Sequence, residues 1–149
     1  KKLILIDDSI VRGNTLFVLV KILMETGLFS QIHIRSASPP ILYEDYMGID
    51  IPTKSELLAY KLKTILVNPN SSTASNSDDF EDSVAQYFNA SSAKYLSITG
   101  LKSVLDFLDT EKSGNKWCTS WTDGYYPIQF EQDWKLYNLL QGYSQPLIQ

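Results

Sequence analysis

The sequence predicts an α/β fold built on a parallel sheet. Three observations carry that expectation. Leu3 to Ile6 is a continuous apolar run that ends in two acids, Asp7 and Asp8. Asn14 to Thr26 reads as a helix stopped by Gly27. Gln31 to Ser38 alternates, with Ile32 and Ile34 set against His33 and Arg35. Strand, helix and strand in that order make a β-α-β unit, which implies parallel strands and a right-handed crossover.

The first strand is apolar throughout, as suits a strand covered on both faces. In the helix, Leu16 to Val20 is apolar almost all round, and only Lys21 and Glu25 are charged. A helix of that kind is expected to be buried on more than one side and predicts a partner surface, another domain or subunit. Pro39-Pro40 ends the second strand, and residues 41–52 read as irregular. Thr53 suits a helix cap, with Glu56 completing a capping box before Leu57-Leu58. Residues 68–79 (NPNSSTASNSDD) are polar and of low complexity, so a disordered surface insertion is expected there, within an inserted stretch of about 61–79.

Phe80 to Phe88 then reads as a helix with Val84, Tyr87 and Phe88 on one face, and the acids Asp78 to Asp82 as its solvated start. Tyr95 to Ile98 reads as a short strand. Leu101, Val104, Leu105 and Leu108 mark an amphipathic helix over 101–108. Lys112 to Asn115 reads as a loop, Trp117 to Phe130 as aromatic and irregular, and Glu131 to Tyr143 as a last helix. Trp121, Tyr125 and Tyr126 either line a ligand path or simply pack, which is the commoner use of such a cluster.

The 149 residues suffice for one domain, and the net charge of -4 excludes the electrostatic footprint of a nucleic-acid binder. An anionic ligand must therefore be held by local groups. The single cysteine, Cys118, cannot make an internal disulfide or a cysteine-based metal cluster, and points to a reduced, cytoplasmic setting. No apolar run reaches the length of a membrane span and no signal peptide is visible, so no membrane partner is expected. The patterns at Asn70 and Asn89 that fit glycosylation read as chance. A chain that opens on a core strand is expected to be part of a longer one.

The chemistry concentrates where the first strand ends. Consecutive side chains on a strand point to opposite faces, so Asp7 and Asp8 can share a site only at the strand end. Ligands of open parallel sheets bind at that edge. Two carboxylates there suit a sugar diol, suit Mg²⁺, and oppose positive charge in a transition state. The next residues, Ser9-Ile10-Val11-Arg12-Gly13-Asn14-Thr15, lead into a helix N-terminus, where unpaired N–H groups attract anions. Gly13 allows close backbone approach, Ser9 and Thr15 offer hydroxyls and Asn14 an amide. Arg12 either adds charge or balances the two acids. A diol at one end and a phosphate at the other describe a ribose 5-phosphate moiety. The plain alternative is that the acids merely end a strand and Asn14 merely caps a helix.

LILIDDSIVRGNT resembles the phosphoribosyl pyrophosphate (PRPP) motif of type I phosphoribosyltransferases. DDSIVRG followed by two small polar residues is similar to the form in glutamine PRPP amidotransferases, the amidophosphoribosyltransferases. RSASPPILYEDYMGIDIPTKSELLAY and CTSWTDGYYP resemble later segments of that family, in the family's order. The likeness implies a type I phosphoribosyltransferase-like (Rossmann-like) half-domain followed by C-terminal helices. Residues 1–149 would form the C-terminal portion of the phosphoribosyltransferase domain, with the N-terminal glutaminase absent. The implied activity makes 5-phosphoribosylamine from PRPP and glutamine-derived ammonia, the first step of purine biosynthesis, although the isolated chain is expected to be inactive.

By the same resemblance Asp7 and Asp8 hold the ribose hydroxyls and Mg²⁺, while Ser9, Ile10, Val11, Arg12, Gly13, Asn14 and Thr15 wrap the 5-phosphate. Asn14 stands where the family has Thr and can still donate. Nucleotide monophosphates are implied as inhibitors and a homo-oligomer as the full enzyme. Some members carry an iron–sulfur cluster on four cysteines. Here Cys118 occupies one such position and Trp121 another, so no cluster is expected. No general base is assigned. His33, the sole histidine, sits mid-strand and is given a structural role. Two other readings compete. One is a non-catalytic PRPP- or nucleotide-binding regulator. The other is a signalling receiver domain, for which Asp50 is the only plausible phosphoacceptor and YMGI a poor strand before it.

Overall fold

The computed structural model describes residues 1–45, 51, 53–66, 77–109 and 117–126. The elements are β1 (Lys2–Asp7), α1 (Asn14–Glu25), β2 (Gln31–Ser36), a 3₁₀ turn (Lys54–Glu56), α2 (Leu58–Leu66), α3 (Ser77–Tyr87), β3 (Ser92–Tyr95), α4 (Ile98–Leu108) and α5 (Ser120–Asp123). The three strands pair in parallel in the order β1-β2-β3. The α/β parallel-sheet class is therefore as expected, with α4 and α5 following the sheet.

Register decides which residues meet the core. Leu3 lies beside Ile32, and Leu5 beside Ile34 and then Ala93. On that face α1 contributes Leu16 and Val20, α2 Leu58 and Ala59, and α3 Phe80, Val84, Ala85 and Phe88 to one buried cluster. Each large side chain buried there stabilises the fold by roughly 1.5–3 kcal/mol. The Phe80 ring stacks on Tyr95 at 5.7 Å, which ties α3 to the end of β3.

The opposite face of β1 is open, contrary to the expectation of a strand covered on both sides: Ile4 is 62% and Ile6 72% exposed. β1 is an edge strand, and the helices that bury the sheet all contribute to the Leu5–Ile34 face. Likewise α1 is not buried on more than one side. Leu16 and Val20 point inward, whereas Phe17, Val18, Leu19 and Ile22 are exposed.

Local hydrogen bonds explain the shifted boundaries. β2 stops at Ser36, two residues early, because the Ser36 hydroxyl donates to the Ser38 carbonyl at 3.0 Å and accepts from the Ser38 N–H at 3.3 Å. Such a side-chain bond competes with the strand ladder. β3 lies at Ser92–Tyr95 and not at Tyr95–Ile98. Ser97 caps α4, its Oγ accepting the Gly100 N–H at 3.0 Å, so Ile98 enters the helix. α4 therefore starts three residues before Leu101, and none of its residues is buried.

The capping box at Thr53 does not form. Thr53 makes no side-chain cap bond, Leu57 is extended, and α2 begins at Leu58. α3 starts at Ser77, inside the stretch expected to be a disordered insertion; positions 68–76 of that stretch lie outside the described residues. The acidic start of α3 is paired and not merely solvated, since Lys94 Nζ donates to Glu81 at 2.6 Å and to Asp78 at 3.2 Å. The expected loop at 112–115, the last helix at 131–143 and Asp50 also lie outside the described residues.

The aromatic stretch after Trp117 contains the short helix α5 and is tied to residues 42–44 by hydrogen bonds, while Tyr125 itself is exposed. The N–H groups of Leu42 and Tyr43 donate to the Trp121 carbonyl at 2.8 and 3.1 Å, and the Tyr126 hydroxyl donates to the Glu44 carbonyl at 2.6 Å. Gly124, at φ 75°, faces the Tyr43 ring so closely that a Cβ would come within 2.9 Å of it.

Candidate functional site

The carboxyl end of β1 opens onto a hollow of about 460 Å³ lined by Asp7 and the run from Ser9 to Leu16. Eight of the nine residues that the sequence assigns to the ligand come together in this wall. Asp8 is the exception: it is exposed and its carboxylate accepts the Ser9 hydroxyl at 3.1 Å. Asp7, half-buried, turns an oxygen back onto the Asp8 N–H at 3.0 Å, which closes the strand end.

The loop between Asp8 and α1 is fixed from beneath. Ile10 is buried in the core at 2% exposure. The Val11 carbonyl accepts the Leu58 N–H at 2.9 Å, which fastens the loop to the start of α2. Gly13 has φ 79°, and a Cβ there would lie 2.9 Å from Leu58 Cδ2 and 3.0 Å from Phe88 Cζ. Glycine is thus required twice, by the left-handed backbone and by close approach to the core. The close approach that glycine permits here is to Leu58 of α2 and to Phe88, just past α3.

The Gly13 carbonyl accepts the Phe17 N–H at 2.8 Å and starts α1, but no side chain caps the helix. Among the described residues, the main-chain N–H groups from Ser9 to Leu16 meet no main-chain acceptor. Such a row at a helix N-terminus favours an anion, because the helix dipole and the unpaired donors act together. Arg12, one of the lining residues, pairs with Glu56 rather than with the two acids: Nε lies 2.9 Å from Oε2. The pair is about half exposed, so its own contribution to stability is small.

Glu56, Leu58 and Phe88 are the supporting residues that sequence reasoning missed. Glu56 was read as half of a capping box, and nothing local connects it to a residue 44 positions earlier. His33 stands on the reverse face of β2, away from the hollow, with Nδ1 2.9 Å from the Ser92 hydroxyl. Cys118 is exposed, with Sγ 3.3 Å from Ser120 Oγ. Among the described residues, no group of three or more His, Cys, Asp or Glu side chains is placed to hold a metal, and no helix is long and apolar enough to cross a membrane.

No family model matches the chain. Individual proteins do. The chain is 42% identical over 132 residues to the amidophosphoribosyltransferase of Drosophila melanogaster, covering 85% of this chain and 21% of that protein. The human amidophosphoribosyltransferase is 38% identical over 154 residues, with 88% of this chain and 26% of that protein covered. The Mycobacterium tuberculosis amidophosphoribosyltransferase is 34% identical over 133 residues, with 89% and 22% covered. Among solved structures, the glutamine phosphoribosylpyrophosphate (PRPP) amidotransferase from B. subtilis, complexed with ADP and GMP, superposes with a TM-score of 0.62 at 28% identity over 87% of this chain and 24% of that one. The chain thus spans 21–26% of the length of these curated relatives.

Proposed function

The chain belongs to the amidophosphoribosyltransferase family and has its type I phosphoribosyltransferase fold, and from that premise we propose that it supplies the ribose-5-phosphate site for making 5-phosphoribosylamine from PRPP and glutamine-derived ammonia. That reaction opens purine biosynthesis and belongs to cytoplasmic glycosyltransferases that are also glutamine amidotransferases. The observation that carries the reading is the hollow at the end of β1, lined by Asp7 and by the loop from Ser9 to Leu16, whose N–H groups have no protein acceptor among the described residues.

In this reading the loop holds the 5-phosphate through backbone donors, with the hydroxyls of Ser9 and Thr15, the Asn14 amide and Arg12 around it. Asp7 and Asp8 accept from the ribose hydroxyls. Ammonia attacks C1, the C1–N bond forms as the C1–O bond to pyrophosphate breaks, and the bond electrons leave with pyrophosphate. The sugar passes through oxocarbenium character, which the two carboxylates oppose. Mg²⁺ suits the same two residues, because it favours oxygen ligands and retains water between itself and a single carboxylate. Bound there it would offset the charge of the pyrophosphate. No general base is assigned on this chain, and binding and orientation are its share of the rate enhancement.

Ammonia comes from a glutaminase domain, which the relatives' greater length accommodates. The exposed apolar residues of β1 and α1 are the surface against which the rest of such an enzyme packs, within a homo-oligomer, and nucleotide monophosphates compete for the phosphate loop. The isolated chain binds and does not turn over. Calorimetry with PRPP and Mg²⁺ tests the site: Asp7→Asn with Asp8→Asn is expected to weaken binding at least tenfold, and unchanged affinity removes the two acids from the site. Restored turnover on adding a glutaminase-bearing partner separates the enzyme reading from a purely regulatory PRPP binder.

A further inference from the structure

Arg12 lines the hollow from a loop that is strapped at two successive points, to the first residue of α2 and to the 3₁₀ turn before it. The Val11 carbonyl accepts the Leu58 N–H at 2.9 Å, and Arg12 Nε donates to Glu56 Oε2 at 2.9 Å. Arg12 lines the hollow and Glu56 does not. A guanidinium has five N–H donors in a flat fork. Glu56 occupies the one on Nε, which leaves the four on the terminal nitrogens for a planar, two-point grip on an anion.

An arginine at 43% side-chain exposure would otherwise wander through many rotamers, and ordering it at the moment of binding costs affinity. The pair itself stabilises the fold little, as an exposed pair does. Its use is to hold the arginine ready.

We propose that Glu56 is the positioning residue of the phosphate site, positioning through Arg12: it clamps Nε and turns the terminal nitrogens toward the ligand phosphate. The proposal rests on the ribose-5-phosphate reading above and adds a residue outside the loop to it. Two effects compete when Glu56 is changed. Loss of the clamp weakens anion binding, whereas loss of a negative charge near the mouth strengthens it. The amide and alanine variants separate them, because Gln keeps an oxygen that accepts from Nε and Ala does not.

The experiment is calorimetric titration of the full chain with ribose 5-phosphate. Glu56→Ala is expected to bind about two- to fivefold more weakly than wild type, the range an exposed charge pair supports. Glu56→Gln is expected to bind as well as wild type or better. In an Arg12→Ala background, Glu56→Ala is expected to cause no further loss. Arg12→Lys has one charged nitrogen where arginine has a fork, so it cannot both hold Glu56 and face the ligand, and it should fall close to Arg12→Ala. Equal affinity in Glu56→Ala and Glu56→Gln, or a loss that persists after Arg12 is removed, overturns the positioning role. Should Glu56→Ala fail to fold, Arg12→Lys answers alone: binding equal to wild type overturns the proposal. Absence of ribose 5-phosphate binding in the wild type is a different result, which brings down the reading of the hollow and the role of Glu56 with it.

Discussion

Gly13 concentrates the largest single-residue constraint in the loop. Its φ of 79° and the 2.9 Å approach to Leu58 act together, so Gly13→Ala is expected to destabilise the fold by at least about 1–2 kcal/mol from the left-handed backbone alone. Chemical denaturation reads that loss, and phosphate binding should fall with it. Tyr95 makes the opposite case. Its hydroxyl is buried with no hydrogen-bond partner among the described residues, and burial, aided by the nearby Glu81 charge, pushes its pKa far above the usual phenol value. With the folded-state pKa raised above the unfolded value, stability keeps its full value below about pH 10 and falls as pH climbs beyond it, because the phenolate is penalised only in the folded state. Tyr95→Phe is therefore expected to raise stability by about 1 kcal/mol at neutral pH and to flatten the alkaline fall, both read from thermal melts across pH. The acids and the glycine of the loop were legible in the sequence because they are adjacent in the chain. Glu56, Leu58 and Phe88 were not, since their roles exist only once α2 and α3 have folded beneath the loop.

At the level of elements, periodicity found the strands and helices, and hydrogen bonds from single serines set where they end. The alternation of Ile32 and Ile34 with His33 and Arg35 matched their burial pattern in β2. β3 was misplaced by three residues because YLSI reads as a strand until the Ser97 cap is recognised. Ser97→Ala is expected to cost about 1 kcal/mol and to fray the first turn of α4, which amide exchange at Gly100 would register. α1 gains no such cap, and its Gly13 start leaves donors open where a capping side chain would have closed them. A helix begun in this way gives up some stability at its first turn and retains an anion site there.

At the scale of the molecule, and among the described residues, the sheet is covered on one face, while on the other β1 leaves its apolar residues open. Sequence alone could not anticipate that, because an apolar run reads the same whether its second face is covered within the chain or by something beyond it. Ile4 and Ile6 stand open on β1, and Phe17, Val18, Leu19 and Ile22 on α1. Apolar surface of this extent drives association in water. Ile4→Thr with Ile6→Thr keeps β-branched side chains on the strand and is expected to shift sedimentation toward monomer, with little change in melting temperature. The wedge of Gly13 between Leu58 and Phe88 has one more consequence. In the proposed reading, the grip on a ligand and the cohesion of the interior share the same few atoms. A captured phosphate sugar should make the protein harder to melt, and trimming Phe88, 75 positions downstream of Gly13, should slacken that grip without touching the guest.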